Sequence, residues 1–319
     1  MTTTDDRTTT ARHDIEIPIS VLGEQHRIAA TLLRPTSTDG DRPLGLLVAV
    51  PGGSYDRYYW DLHVPGLENY SFADCAVQSG WAVLMLDNLG TGASGRPAEA
   101  TAVTLEVMAD AVAQAARFVA AGVRESLIGS GPAQPDLRVV GIGHSLGGHI
   151  VAAAQSAQAP FERVALLGSS FLGLAGSDLV SRDRAAAALA PMAGDTWECG
   201  YVLVSREAMR SRYHADDVPE EVLRADGLNI TRIPREAGID VMMPQTIGPI
   251  AAAVEVPVFL AFADSDTSPD PRAEAANFTN SRDVTYFQLP RSAHCHNSAS
   301  TRHQLWQRVL EWAGSASSS

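Results

Sequence analysis

The chain is predicted to fold as an α/β domain: a mainly parallel sheet with helices on both faces, interrupted by a mostly helical insertion. Three observations predict it. Continuous apolar runs of strand length alternate with longer segments of helical periodicity, the pattern of a parallel sheet covered on both faces. Several of those runs end abruptly at Gly or Asp, where a strand would stop at one edge of a sheet. Alternation fails only between Leu174 and Glu255, and a stretch of roughly 80 residues without it reads as an insertion, because long structureless loops are rare in compact domains.

The elements follow in chain order. Residues 1–14 are Thr-rich and polar and read as a loose tail. Ile15 to Val21 and Ile28 to Leu33 are short β-type runs separated by the turn-like Gly23-Glu24. Leu44 to Val50 is continuously apolar and stops at Pro51-Gly52-Gly53, as a strand buried on both faces would. A helical stretch around Tyr70 to Gln78 ends at Gly80, and Trp81 to Leu86 repeats the buried-strand pattern as far as Asp87. Thr101 to Ala121 reads as a long Ala/Val-rich helix with Glu106 and Asp110 on its wet face. Strand Leu137 to Ile142 runs into Gly143 and a helix from Leu146 to Ala157, and Val164 to Leu167 is the next strand. Past the insertion come strand Val256 to Phe262, a helix near Arg272 to Phe278, strand Val284 to Leu289 and a final helix from Ala299 to Trp312. The core is therefore expected over 15–173 and 256–313, the insertion over 174–255, and a second loose tail over 314–319.

Composition excludes several classes of protein. A chain of 319 residues with 45% hydrophobic and 19% charged residues has ample material for a buried core. Its net charge of −13 comes with no basic run, which argues against nucleic acid or an anionic membrane as partner. The three cysteines, Cys75, Cys199 and Cys295, make neither a disulfide framework nor a metal-type pair, and this fits a reducing compartment. The polar N-terminus lacks the apolar core of a signal peptide, and no apolar stretch is long enough to span a membrane. A cytoplasmic location is expected. The oligomeric state is not legible.

The chemistry centres on Gly143-His144-Ser145-Leu146-Gly147, a G-x-S-x-G pattern. In a chain with 26 glycines such a pattern arises readily by chance, so its placement matters more than its letters. An apolar strand enters it and a helix leaves it, the setting of a nucleophile elbow. The glycines let the backbone turn sharply and leave Ser145 exposed at the strand end. The Leu146 N–H, at the helix N-terminus, would then point to where an oxyanion forms.

With these residues in place, from about Val48 to the final helix, the chain resembles the α/β-hydrolase family. Pro51-Gly52-Gly53 follows the third strand, where that family carries its first oxyanion-hole amide; Pro51 replaces the usual His, but the donor is backbone. By position the resemblance implies that role for Gly53, with Ser54 a near alternative. Asp87-Asn88-Leu89-Gly90-Thr91-Gly92-Ala93-Ser94 matches the family's turn after the fourth strand. A nucleophilic Ser needs a His within hydrogen-bond reach and a carboxylate to orient it, and the family orders them Ser, acid, His. The resemblance points to Asp266 as the acid, with Asp264 and Asp178 as alternatives, and to His294 as the base, with His296 as alternative.

Gly90-Thr91-Gly92-Ala93-Ser94-Gly95 also satisfies G-x-G-x-x-G, a dinucleotide-binding fingerprint. That reading needs a helix opening at the glycines, but Arg96-Pro97 interrupts there. The expected activity is hydrolysis of a medium-sized hydrophobic carboxylic ester or lactone through an acyl-enzyme at Ser145, with no cofactor and no metal. Thioesterase, acyltransferase and carbon–carbon bond hydrolase use the same residues and stay open, as does a non-catalytic binding module on this fold. Ser54, Tyr55 and His144 beside the turns, and Trp197, Met242 and Met243 in the insertion, are the candidate substrate contacts; Met209 also belongs to that Met-bearing insertion.

Overall fold

The computed structural model describes residues 9–36, 45–129, 132–174, 181–193 and 200–315. Strands β1 (Thr9–Val21) and β2 (Glu24–Thr36) form an antiparallel hairpin in unbroken register from Val21↔Glu24 to Thr9↔Thr36. Leu22 and Gly23 close it with positive φ of 54° and 75°, the two-residue turn whose twist suits a hairpin. The expected tail is thus shorter than 1–14. Residues from Thr9 on are strand, and the polar run hid them because the inward positions Ala11 and His13 are only half-buried.

The rest of the sheet is parallel: β3 (Leu46–Val50), β4 (Ala82–Leu86), β5 (Val139–His144), β6 (Arg163–Leu167), β9 (Val258–Ser265) and β10 (Val284–Ala293), in the spatial order β1-β2-β4-β3-β5-β6-β9-β10. β2 joins this block through an antiparallel pairing with β4. Successive residues of the short central strands serve opposite faces. Leu46, Val48 and Val50 pack with α2 (Leu105–Arg124) and α3 (Leu146–Gln158), while Leu47 and Ala49 pack with α1 (Phe72–Gln78) and α9 (Arg302–Gly314). Apolar residues on both faces explain why these strands read as unbroken hydrophobic runs.

The insertion holds α4 (Arg182–Ala193), α5 (Arg206–Tyr213), α6 (Glu220–Gly227), α7 (Arg235–Asp240) and α8 (Pro244–Ala252). Its two-residue strands β7 (Tyr201–Val202) and β8 (Ile233–Pro234) pair with each other and add nothing to the main sheet. Other boundaries also differ from expectation, most of them by a few residues. The helix expected near Arg272 to Phe278 is a single 3-10 turn at Glu274–Asn277, where Pro269 and Pro271 restrict the approach and the Glu274 carboxylate turns inward to accept from Phe171 N–H. β10 continues past Pro290 to Ala293 across a register shift after Leu289. The last helix begins at Arg302, after a 3-10 turn at His296–Ser298, and reaches Gly314.

Candidate active site

Ser145 sits between β5 and α3 with φ 53° and ψ −121°, a backbone region that costs a non-glycine residue free energy. The neighbouring glycines make the turn possible. A Cβ on Gly143 would collide with the Gly147 backbone, and one on Gly147 with the carbonyls of Val50 and Pro51. Ser145 N–H donates to Leu167 O at 2.8 Å, and its own carbonyl accepts from Ser169 Oγ at 2.8 Å. His149, one turn into α3, faces that carbonyl with Nδ1 at 3.1 Å and Ser170 O with Nε2 at 2.8 Å. Burial pulls its pKa down to about 4, so the ring is neutral at pH 7 and donates to one of the two carbonyls.

The expected acid and base lie where β9 and β10 end. His294 Nδ1 lies 2.7 Å from Asp266 Oδ1, which also accepts from Thr267 N–H; His296 Nε2 lies 3.0 Å from Oδ2, which also accepts from Ala263 N–H. Since an ionised carboxylate only accepts, both ring nitrogens facing it carry protons. Burial works against the charge on Asp266, but the two imidazoles outweigh it and hold the carboxyl well below the usual range. Asp264 points elsewhere: it is exposed and accepts from Gln288 and from Arg291 N–H. Asp178 lies outside the described residues.

Ser145, His294, Gly53 and Leu146 all line one cavity of about 130 Å³. Among the described residues no hydrogen bond joins Ser145 Oγ to His294, a contact that commonly tightens only when substrate is present. Leu146 opens α3, where the first N–H groups have no partner within the helix. A Cβ on Gly53 would lie 3.8 Å from Leu146 Cβ, so the two residues expected to supply the oxyanion donors are neighbours.

The insertion supplies the apolar wall, with Leu174, Leu189, Met192, Met209 and Met242 around the cavity. Of the six candidate substrate contacts, Met242 alone lines it among the described residues. Met243 packs one layer back with Ala185 and Ile239. Tyr55 is 1% exposed and belongs to the core beneath the oxyanion turn, together with Tyr59 and Trp60. Ser54 is enclosed because the insertion covers it. His144 is enclosed between Tyr59, at 4.6 Å and nearly parallel, and His294, whose carbonyl accepts from its Nε2 at 2.7 Å. Trp197 lies outside the described residues.

Sequence reasoning missed the brace that joins the insertion to the loops carrying Gly53 and His294. Ser54 has φ 63°; its carbonyl accepts from Arg206 Nη2 at 2.8 Å and Thr231 N–H at 3.1 Å, and its hydroxyl from Val204 N–H at 3.2 Å. Arg206 lies 3.9 Å over the Tyr55 ring. At the other end of α5, Arg212 O and Tyr213 O accept from His294 N–H and Cys295 N–H at 3.1 and 2.8 Å. An arginine in a charged helix carries no sequence signal that would single it out.

The G-x-G-x-x-G turn opens no helix: Gly90 N–H donates to Gly95 O, and Asp87 accepts from Ala93 N–H and from Arg57. Asp61, His63 and Asp74 form the one group of the described residues with donor atoms close enough to hold an ion. Asp61 is already paired with Arg12 at 2.8 Å, and none of the three lines the Ser145 cavity. Among the described residues no helix is long and apolar enough to cross a membrane.

A parallel sheet with an antiparallel hairpin at one edge, and a strand–Ser–helix elbow on a central strand, defines an α/β hydrolase. The sequence agrees: a model of the alpha/beta hydrolase family matches residues 47–305, and the chain belongs to that family. No curated protein matches the sequence significantly. Among solved structures, an esterase from Exiguobacterium antarcticum is similar at 12% identity and TM-score 0.65, over 94% of this chain and 100% of that one. A thermophilic esterase from Thermogutta terrifontis is 16% identical, with TM-score 0.63 over 94% and 97% of the two chains. The enol-lactonase from Burkholderia xenovorans LB400 is 17% identical, with TM-score 0.63 over 93% and 100%. At such identities the likeness is one of fold.

Proposed function

We propose that the chain is a serine hydrolase that cleaves a hydrophobic carboxylic ester or lactone through an acyl-enzyme at Ser145. The observation that carries this reading is the His294–Asp266 pair at 2.7 Å, opening on the cavity that Ser145, Gly53 and Leu146 line. Ser145 Oγ attacks the carbonyl carbon while His294 Nε2 takes its proton, and Asp266 holds the ring by Nδ1–H and stabilises the imidazolium. The tetrahedral oxyanion receives the Gly53 and Leu146 N–H groups. Collapse expels the alkoxide, which takes the proton from His294; water then repeats the sequence and releases the acid. Every step is acyl or proton transfer by this chain's own groups and calls on no cofactor.

The insertion serves as a cap whose apolar side chains hold the acyl group. The cavity that these side chains wall is apolar, which suits a hydrophobic acyl group. Neighbours described as esterases and an enol-lactonase support the ester or lactone class through the shared fold. A fluorophosphonate probe is expected to label Ser145, and a panel of acyl esters, lactones and thioesters to show preference for hydrophobic esters or lactones. Absence of labelling at Ser145 with turnover intact would overturn the mechanism; a thioester preference would move the substrate class.

A further inference from the structure

Asp266 is shared between two histidines, and only one of them faces the cavity. His294 lines it beside Ser145; His296 is 0% exposed and does not. His296 is therefore in no position to take a proton from Ser145. Its Nε2–H is spent on Asp266 Oδ2, while its Nδ1 is buried without a hydrogen-bond partner among the described residues. An apolar ring would fill the same space and leave no polar atom stranded. What a histidine adds at this position is the one N–H aimed at the carboxylate.

We propose that His296 is a positioning residue for the triad: it holds the second oxygen of Asp266 so that the first stays aimed at His294, and it tempers the negative charge that His294 meets. The inference rests on reading Ser145, His294 and Asp266 as a triad. Its consequence has a definite sign. A carboxylate with a donor on its far oxygen stabilises the His294 imidazolium less, so the base stays neutral to lower pH. Removing that donor strengthens the attraction, and the acid limb of kcat/KM moves to higher pH.

The surrounding groups leave this effect visible. His144 is the imidazole packed against both histidines, at ring-centroid separations of 4.7 Å from His294 and 5.5 Å from His296, and burial keeps it neutral. From the insertion, Tyr213 faces His294 at 5.6 Å, and burial holds its phenol up at about 12. Burial likewise raises the Cys295 thiol and the Tyr59 phenol, so both are neutral. Beyond them Asp226 accepts from Tyr55 and lies 3.4 Å from His214 and 3.9 Å from Arg206. None of these replaces the His296 contact with Asp266, whose remaining partners are the amides of Ala263 and Thr267.

The test compares wild type with His296→Phe, which removes the donor, and His296→Gln, whose terminal amide offers an N–H at similar reach. With a chromogenic ester, His296→Phe is expected to lower kcat/KM about tenfold and to raise the acid limb by about half a pH unit or more. His296→Gln is expected to recover most of both. The downfield NMR proton of His294 Nδ1 gives the same comparison without turnover, and His296→Leu takes the place of His296→Phe if that variant does not fold. Equal losses in the Phe and Gln variants, with limb and proton unmoved, would show that His296 only packs and overturn the proposal. So would a wild-type profile in His296→Phe. Failure of the triad reading looks different: Ser145→Ala would keep its turnover, whatever the His296 variants do.

Discussion

Ser145 stores strain where the proposed chemistry needs exposure. With φ 53° and ψ −121° it occupies a conformation that glycine adopts freely and serine does not. Ser145→Gly is therefore expected to raise stability by about 1 kcal/mol while abolishing turnover, since relief of strain exceeds the entropy that glycine loses on folding. Ser145→Ala keeps the strain, so its melting temperature should match wild type while kcat falls by several orders of magnitude. Loss of stability in the Gly variant, measured by thermal melting, would contradict this account. The acid is tested in the same way. Asp266→Asn is expected to cost up to about 10⁴ in kcat, by analogy with loss of the orienting carboxylate in other triads. Asp264→Asn, which disturbs only the contacts with Gln288 and Arg291, should cost less than about tenfold; the reverse order in kcat would exchange their roles. That Ser145, Asp266 and His294 come together was legible because each follows a strand that ends at the same sheet edge. Tyr55, Ser54 and His144 were not, because sequence places them beside the turn without telling which way the turn folds.

The insertion does more than roof the cavity. α5 reaches the Gly53-Ser54 turn through Arg206 and the His294 loop through the Arg212 and Tyr213 carbonyls. Arg206→Met keeps the aliphatic stem over Tyr55 but drops the charge-assisted bond to the strained Ser54 carbonyl. If that bond aims the neighbouring amide, kcat should fall about tenfold with KM little changed, a fraction of the loss from deleting an oxyanion donor outright. Affinity for a boronic acid, which draws on the same donors, should fall in step. A raised KM with unchanged kcat would limit the insertion to substrate binding. Elements buried on both faces, β3 to β6 and β9, were legible because their central residues are apolar on both faces. The first residues of β1, Thr9 to Asp14, and the end of β10 were not, since they are held by backbone pairing that polar side chains and Pro290 do not advertise. The brace was illegible for a related reason: it runs through carbonyls and a single cation.

Across the whole molecule, buried histidines tie stability to pH. Burial holds His149 down at about 4 and His144 well below its ordinary value, so the folded chain keeps both neutral. The unfolded chain takes up a proton at each near pH 6.5. Between about pH 6.5 and 4 the unfolded state therefore binds more protons, and stability falls as pH falls, by at most about 1.4 kcal/mol per pH unit for each group. Asp56 acts in the opposite sense: burial raises it to about 6, so the folded state binds its proton first and offsets part of the loss between pH 6 and 4. Asp266 adds to the loss only at lower pH, as protons reach carboxylates in the unfolded chain and the folded one resists them. The fall attributable to His149 is thus steepest near the middle of that window, around pH 5, and flattens as pH approaches 4. Thermal melts of wild type and His149→Gln at pH 7.5, 6.5, 5.5 and 4.5 give the comparison. The variant, without one titrating ring, should start less stable, because it loses a packed hydrogen-bonded side chain, yet decline more shallowly with falling pH. Parallel declines in the two proteins would mean that His149 titrates alike in the folded and unfolded chains.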